Sequence, residues 1–144
     1  MKLRVTLTCL TLMVLTFLIE PNVRYIPIEG QKFAPPTEVP STSMFRIQIN
    51  QDKLLHPTEW SYLSTGLALN IPEGYHGHLY AVHSLTRDGI NLIPTCIPSG
   101  ENRTISPLVI NTRIHDYMIQ CNRTIAFIVF VKHLTQSVLE EIKV

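Results

Sequence analysis

The sequence predicts an all-β domain, a barrel or sandwich, on three observations. Short runs rich in Ile, Val, Leu, Thr and Tyr recur at roughly 8–12-residue spacing. Ten prolines and six glycines punctuate them, and no stretch carries a convincing amphipathic helical period. The 144 residues suffice for one domain with a real core. Apolar residues make up 45% and charged residues 16%, which excludes the polar, highly charged composition of disordered chains. Twelve Lys and Arg against eleven Asp and Glu leave a formal charge of +1. That excess is too small to neutralise a row of phosphates, so no nucleic-acid partner is expected.

Residues 1–22 read as a hydrophobic leader. Lys2 and Arg4 precede an apolar run over residues 7–19, which stops at Glu20-Pro21. This is the layout of a signal peptide, and it is shorter than the ~20 apolar residues a spanning helix needs. No A-x-A-like cleavage triplet follows; Val14 and Thr16 are the nearest approximation. The alternative is a buried N-terminal strand, because Leu3, Val5, Leu7 and Cys9 alternate with polar neighbours. The leader predicts delivery to the secretory pathway, with membrane contact only if it stays uncleaved as an anchor. A cytoplasmic location is the alternative.

The domain then runs over residues 23–144. Strands are expected at 23–28, 44–50, 60–63, 65–71, 77–82, 90–97, 108–111, 117–120, 125–131 and 137–144, with a Pro-rich connection at 30–40. The run at 44–50 alternates cleanly and puts Phe45, Ile47 and Ile49 on one face. Pro72-Glu73-Gly74 turns the strand at 65–71 back into the next. There is no internal repeat and no second domain.

Candidate chemistry is sparse. The nucleophile-elbow, P-loop, dinucleotide and C-x-x-C patterns are absent. His76 and His78 lie two apart and share a strand face, but nothing designates His83, His115 or His133 as a third ligand, so no metal is expected. Asp52, Glu73, Asp88, Glu101 and Asp116 are well separated and form no two-carboxylate pattern, so no cofactor is expected either. If the leader is removed with Cys9, then Cys96 and Cys121 remain as a candidate disulfide, worth roughly 3 kcal/mol by the chain-entropy argument. Asn102 and Asn122 both head N-x-[ST] acceptors. Asn102, in a Gly/Pro-flanked turn, is the better expected glycan site.

One stretch resembles a family. Residues 65–79, Thr65-Gly66 through Ile71-Pro72-Glu73-Gly74 to Gly77, look like the central strand and hairpin of the trimeric dUTPases. Leu54 to Pro57, Val109-Ile110-Asn111 and the Arg123 to Ile128 strand, similar to "R-I-A-Q-L-I", extend the resemblance over roughly residues 23–142. It implies a dUTPase-like jelly-roll β-barrel and a homotrimer.

The motifs for catalysis do not carry over. The aspartate of "G-Y-D-L" is matched by Arg46, and "P-R-S-G" falls on Ala81-Val82-His83-Ser84. The hairpin "G-V-I-D-x-x-Y-R-G" falls on residues 96–104, with Ser99 in place of the acid and Asn102 in place of the tyrosine. Arg123 retains its arginine, but no glycine follows Gly100 to form a phosphate-closing arm. A general base, a metal-binding carboxylate and a phosphate clamp are separate requirements of phosphoryl chemistry, so no enzymatic activity is expected. The pattern is most similar to degenerate, non-enzymatic viral members, such as the dUTPase-like protein of adenovirus early region 4. That implies a pseudoenzyme that binds a host protein. Ile142-Lys143-Val144 at the C-terminus would suit a hydrophobic PDZ-type ligand, for which the host cytoplasm is the required compartment. Residual dUTP binding or weak dUTP diphosphatase activity, and an unrelated secreted β-sandwich interaction module, are the alternatives.

Overall fold

The computed structural model describes residues 17–19 and 23–133. Within them the chain forms, in order, β1 (Phe17–Ile19), β2 (Val23–Pro27), β3 (Thr37–Glu38), β4 (Met44–Gln48), β5 (Lys53–Leu55), β6 (Trp60–Tyr62) and β7 (Leu67–Ile71). The second half holds β8 (Tyr75–Ala81), α1 (His83–Arg87), β9 (Ile90–Leu92), β10 (Thr95–Ile97), β11 (Gly100–Thr104), β12 (Leu108–Asn111), β13 (Tyr117–Ile119) and β14 (Thr124–Lys132). No helix among the described residues is long and apolar enough to cross a membrane. Most of the leader and all of the C-terminal tail, including Ile142, Lys143, Val144 and the strand expected at 137–144, lie outside the described residues. The end of the apolar run, β1, pairs antiparallel with β2.

All strand pairs are antiparallel. They make sheets in the orders β1-β2-β7-β11, β10-β8-β14-β4-β3, β6-β12-β9 and β13-β5. Period-two alternation decides what faces inward. In β4 the side chains of Phe45 and Ile47 are buried while Arg46 between them is not, and in β8 Gly77 and Leu79 are buried between His76, His78 and Tyr80. Val23, Ile47, Leu69, Leu79, Ile125 and Ile128 belong to one continuous core.

Several elements differ from the expected pattern. The run at 90–97 is two strands, β9 and β10, broken at Ile93-Pro94; proline cannot donate to a ladder, and the Ile93 amide turns to the Leu108 carbonyl. The Pro-rich connection contains the two-residue edge strand β3. In β11, the polar run Gly-Glu-Asn-Arg-Thr pairs with β7 through a register shift between Gly100 and Arg103. Helix α1 buries only Leu85, and one turn is too short to show a period.

The expected Cys96–Cys121 disulfide is not formed: both thiols are free. Cys96 lies in β10 opposite His78, and His78 is level with Val129 near the far end of β14. Cys121 precedes the start of β14. Five strand residues separate those levels, on the order of 15 Å, whereas a bridge needs Cα atoms within ~7 Å.

Candidate functional site

Pro72-Glu73-Gly74 and the β10–β11 turn form the mouth of a cleft of about 650 Å³, lined by Arg24, Asn70, Glu73, Ser99, Gly100 and Glu101 among others. Its backbone is held by a side chain. Asn70 in β7 accepts a hydrogen bond through Oδ1 from the Asn102 amide at 2.8 Å. Asn102 has a positive φ of 54°, the left-handed conformation that asparagine tolerates better than most residues. Arg103 folds back so that Nη2 donates to the Ser99 carbonyl at 3.2 Å. Gly100 has φ of 135°, and a Cβ there would lie 2.8 Å from the Arg103 guanidinium. The turn shape therefore requires glycine. The cleft combines one cation, Arg24, with two carboxylates, Glu73 and Glu101.

The other sequence-predicted positions lie elsewhere. Arg46 sits on the outer face of β4, paired in register with Thr37 and Phe127. His83 and Ser84 begin α1. Arg123, before β14, is occupied: Nη1 donates to the Tyr117 hydroxyl at 2.5 Å and Nη2 lies 3.5 Å from Asp88 Oδ2. The Tyr117 hydroxyl in turn donates to Asp88 Oδ2 at 2.6 Å. The Tyr117 hydrogen bond, aided by Arg123 and Arg87, holds the Asp88 carboxyl below the usual carboxylate range. This network ties the end of α1 to β13, and sequence reasoning missed it because Asp88 and Tyr117 are distant in sequence with no local signature.

Both glycosylation candidates are exposed, and Asn122, like Asn102, has a positive φ. His76 and His78 do share the outer face of β8, as their spacing predicts, and His133 and Cys96 join them there. Desolvation and the nearby imidazoles of His78 and His133 lower the pKa of His76.

No protein-family model and no curated protein matches the chain. Solved structures do. A point mutant of the dUTPase of Staphylococcus bacteriophage 80alpha, bound to dUpNHpp, superposes with a TM-score of 0.72 at 17% identity, over 80% of this chain and 85% of that one. A point mutant of the dUTPase of S. aureus phage phi11, with a coordinated structural Mg(II) ion, gives 0.70 at 17% identity, over 78% and 92%. The chain has the dUTPase fold. That likeness rules out a β-sandwich fold. The cleft lies at the turn from β10 into β11, which carries Ser99, Gly100 and Glu101. The 80alpha dUTPase is described as controlling transfer of virulence genes by a proto-oncogenic G protein-like mechanism.

Proposed function

We propose that this chain is a catalytically inactive dUTPase-fold protein of viral origin that acts by binding a host protein. The observation that carries this reading is the residue set at the matched positions. Arg46 stands where an acid would hold metal, Ser99 where an acid would activate water, and Asn102 where a tyrosine would stack beneath the sugar. Ser99 cannot take a proton at neutral pH. Of the two motif arginines retained, Arg123 is engaged by Asp88 and Tyr117, and Arg103 donates to the Ser99 carbonyl. The phage 80alpha dUTPase offers a precedent for regulatory work on this fold. In the assay for pyrophosphate release from dUTP with Mg²⁺, the protein should stay at background. A turnover of roughly 1 s⁻¹ or more overturns the reading.

A second reading, residual nucleotide binding, is favoured by the cleft at the β10–β11 turn. Titration with dUpNHpp separates the two, since saturable binding without hydrolysis supports the second. Assembly as a homotrimer follows from the resemblance, and sedimentation of a monomer at micromolar concentration would count against it.

Secretory delivery rests on the leader. Removal of the leader over residues 1–22 would take Cys9 with it and leave the domain from Val23. The N-terminal residue and glycan content of protein expressed in mammalian cells test this. An intact, unglycosylated cytosolic chain would instead favour the Ile142-Lys143-Val144 tail as a PDZ ligand.

A further inference from the structure

The outer face of β8 carries a cluster for which the proposed function has no use. His78 of β8 is the direct cross-strand partner of Cys96 in β10, so the two side chains rise side by side from one face of the sheet. His76, two residues back, projects to the same side. Its Nε2 lies 2.6 Å from Nε2 of His78. One nitrogen from each histidine and the Cys96 sulfur all lie within 4.8 Å of one another. His133 completes the group from the end of β14. Its backbone amide donates to the Gly74 carbonyl at 2.6 Å, and its Nε2 meets His76 Nδ1.

We propose that His76, His78 and Cys96 form a zinc site on the outer face of the barrel, with His133 as the positioning partner of His76. Two imidazole nitrogens and a thiolate are a borderline-soft set suited to Zn²⁺, and they offer nothing to Mg²⁺ or Ca²⁺, which demand oxygen ligands. Tetrahedral bonds of about 2.0–2.3 Å place neighbouring donor atoms roughly 3.3–3.8 Å apart. The cluster reaches that spacing by small side-chain rotations that part the two histidine rings. Metal takes the place of the proton between His76 and His78, which moves through solvent to Nδ1 of His78 so that both rings ligate neutral, and Cys96 releases its thiol proton to solvent as the sulfur binds. His76 then ligates through Nε2 while its Nδ1–H donates to His133 Nε2, the arrangement that fixes tautomer and ring orientation at metal-bound histidines. Three protein ligands leave the fourth position to water or an external ligand. The cluster lies on a solvent-accessible sheet face, with His76 and His78 part-buried and Cys96 exposed, so the site can be loaded without opening the core.

The test uses the full-length protein titrated with ZnCl₂ by calorimetry and, in parallel, with Co²⁺ as a spectroscopic probe. One equivalent of metal per chain is expected, with a thiolate-to-cobalt charge-transfer band. Cys96→Ser should remove the band and weaken zinc binding at least tenfold. Cys121→Ser, altering the other described thiol, should change neither. His78→Ala should weaken binding by a similar factor or more, and its melting curve without metal reports whether it still folds. For the positioning residue, His133→Ala should weaken binding about 10-fold or more, and His133→Gln, which keeps a hydrogen-bond acceptor, should recover part of the loss. Failure to bind a stoichiometric equivalent overturns the site, as does a charge-transfer band that survives Cys96→Ser. Equal affinity in His133→Ala and the natural protein overturns the role of His133.

Discussion

The segment Thr65–Gly77 and the turn from β10 into β11 differ in how far the fold constrains their residues. In the first, residues are committed to the backbone. Thr65 is buried, donates to the Ile105 carbonyl at 2.6 Å and accepts from the Leu67 amide at 3.3 Å. Gly66 has φ of 69°, and a Cβ there would lie 2.2 Å from the Lys32 carbonyl oxygen. At Gly77 a Cβ would press on the Ile128 side chain at 3.2 Å. In β11, Glu101, Asn102, Arg103 and Thr104 are exposed. Residues that build the barrel cannot change without a stability cost, whereas exposed residues outside the core can. Asn111 belongs to the first class: it is fully buried, donates to the Leu55 and His115 carbonyls and accepts from the Arg113 amide, each at 2.9 Å.

Substitutions can break or sharpen this contrast. Gly66→Ala carries the largest expected effect, a loss of roughly 3–5 kcal/mol in denaturant unfolding from left-handed strain together with a backbone collision. Gly30 shares a positive φ but has nothing within 4 Å of its would-be Cβ, so Gly30→Ala should cost only about 1 kcal/mol. If the two variants are equally stable, the collision is not real.

Asn111→Ala comes next. It strands two carbonyls and one amide and should cost about 2–4 kcal/mol by the same measurement.

Tyr117→Phe acts through pH. Folding depresses the Asp88 pKa, so the carboxylate contributes stability above its unfolded value of ~3.9, and this is lost as pH falls through the folded value. Removing the hydroxyl should move the Asp88 titration, followed by carboxyl NMR, upward. It should also shift the acid limb of the stability profile to higher pH. An unmoved Asp88 would show that the hydrogen bond is not formed.

The smallest effects belong to the β10–β11 turn. Ser99→Ala and Glu101→Gln should each stay within about 0.5 kcal/mol, and a larger loss at either would place that residue with the barrel-building class.

The strands at 44–50, 65–71 and 125–131 were legible because each buries one face against a common core and so alternates or runs apolar. β11 was not, since a strand with both faces wet has no hydrophobic period, and its pairing with β7 depends on a bulge that sequence spacing does not reveal. β5 is a three-residue strand whose only strand partner among the described residues is β13, too short for a pattern. At the outer-face cluster, two positions apart in one strand was enough to place His76 and His78 together. Cys96 and His133 were invisible beside them because register, not sequence distance, brings them in. The disulfide expectation failed for the same reason: two cysteines in a favourable compartment say nothing about the strand levels that separate them.

β14 is flanked on both sides, pairing with β4 from Thr124 to Val129 and with β8 from Ala126 to Lys132. It is also the last described strand to be synthesised, and β4 is among the earliest. On the ribosome, β4 and β8 must therefore wait side by side with a missing strand between them until nearly the whole chain has emerged. Closure of so non-local a pairing is slow, typically milliseconds to seconds. Until then both strands present open edges of the kind that recruit other chains. Open edges of this kind make the unfinished barrel prone to pairing with other chains. Its folding is set by the arrival of the final strand rather than by how fast any one hairpin forms.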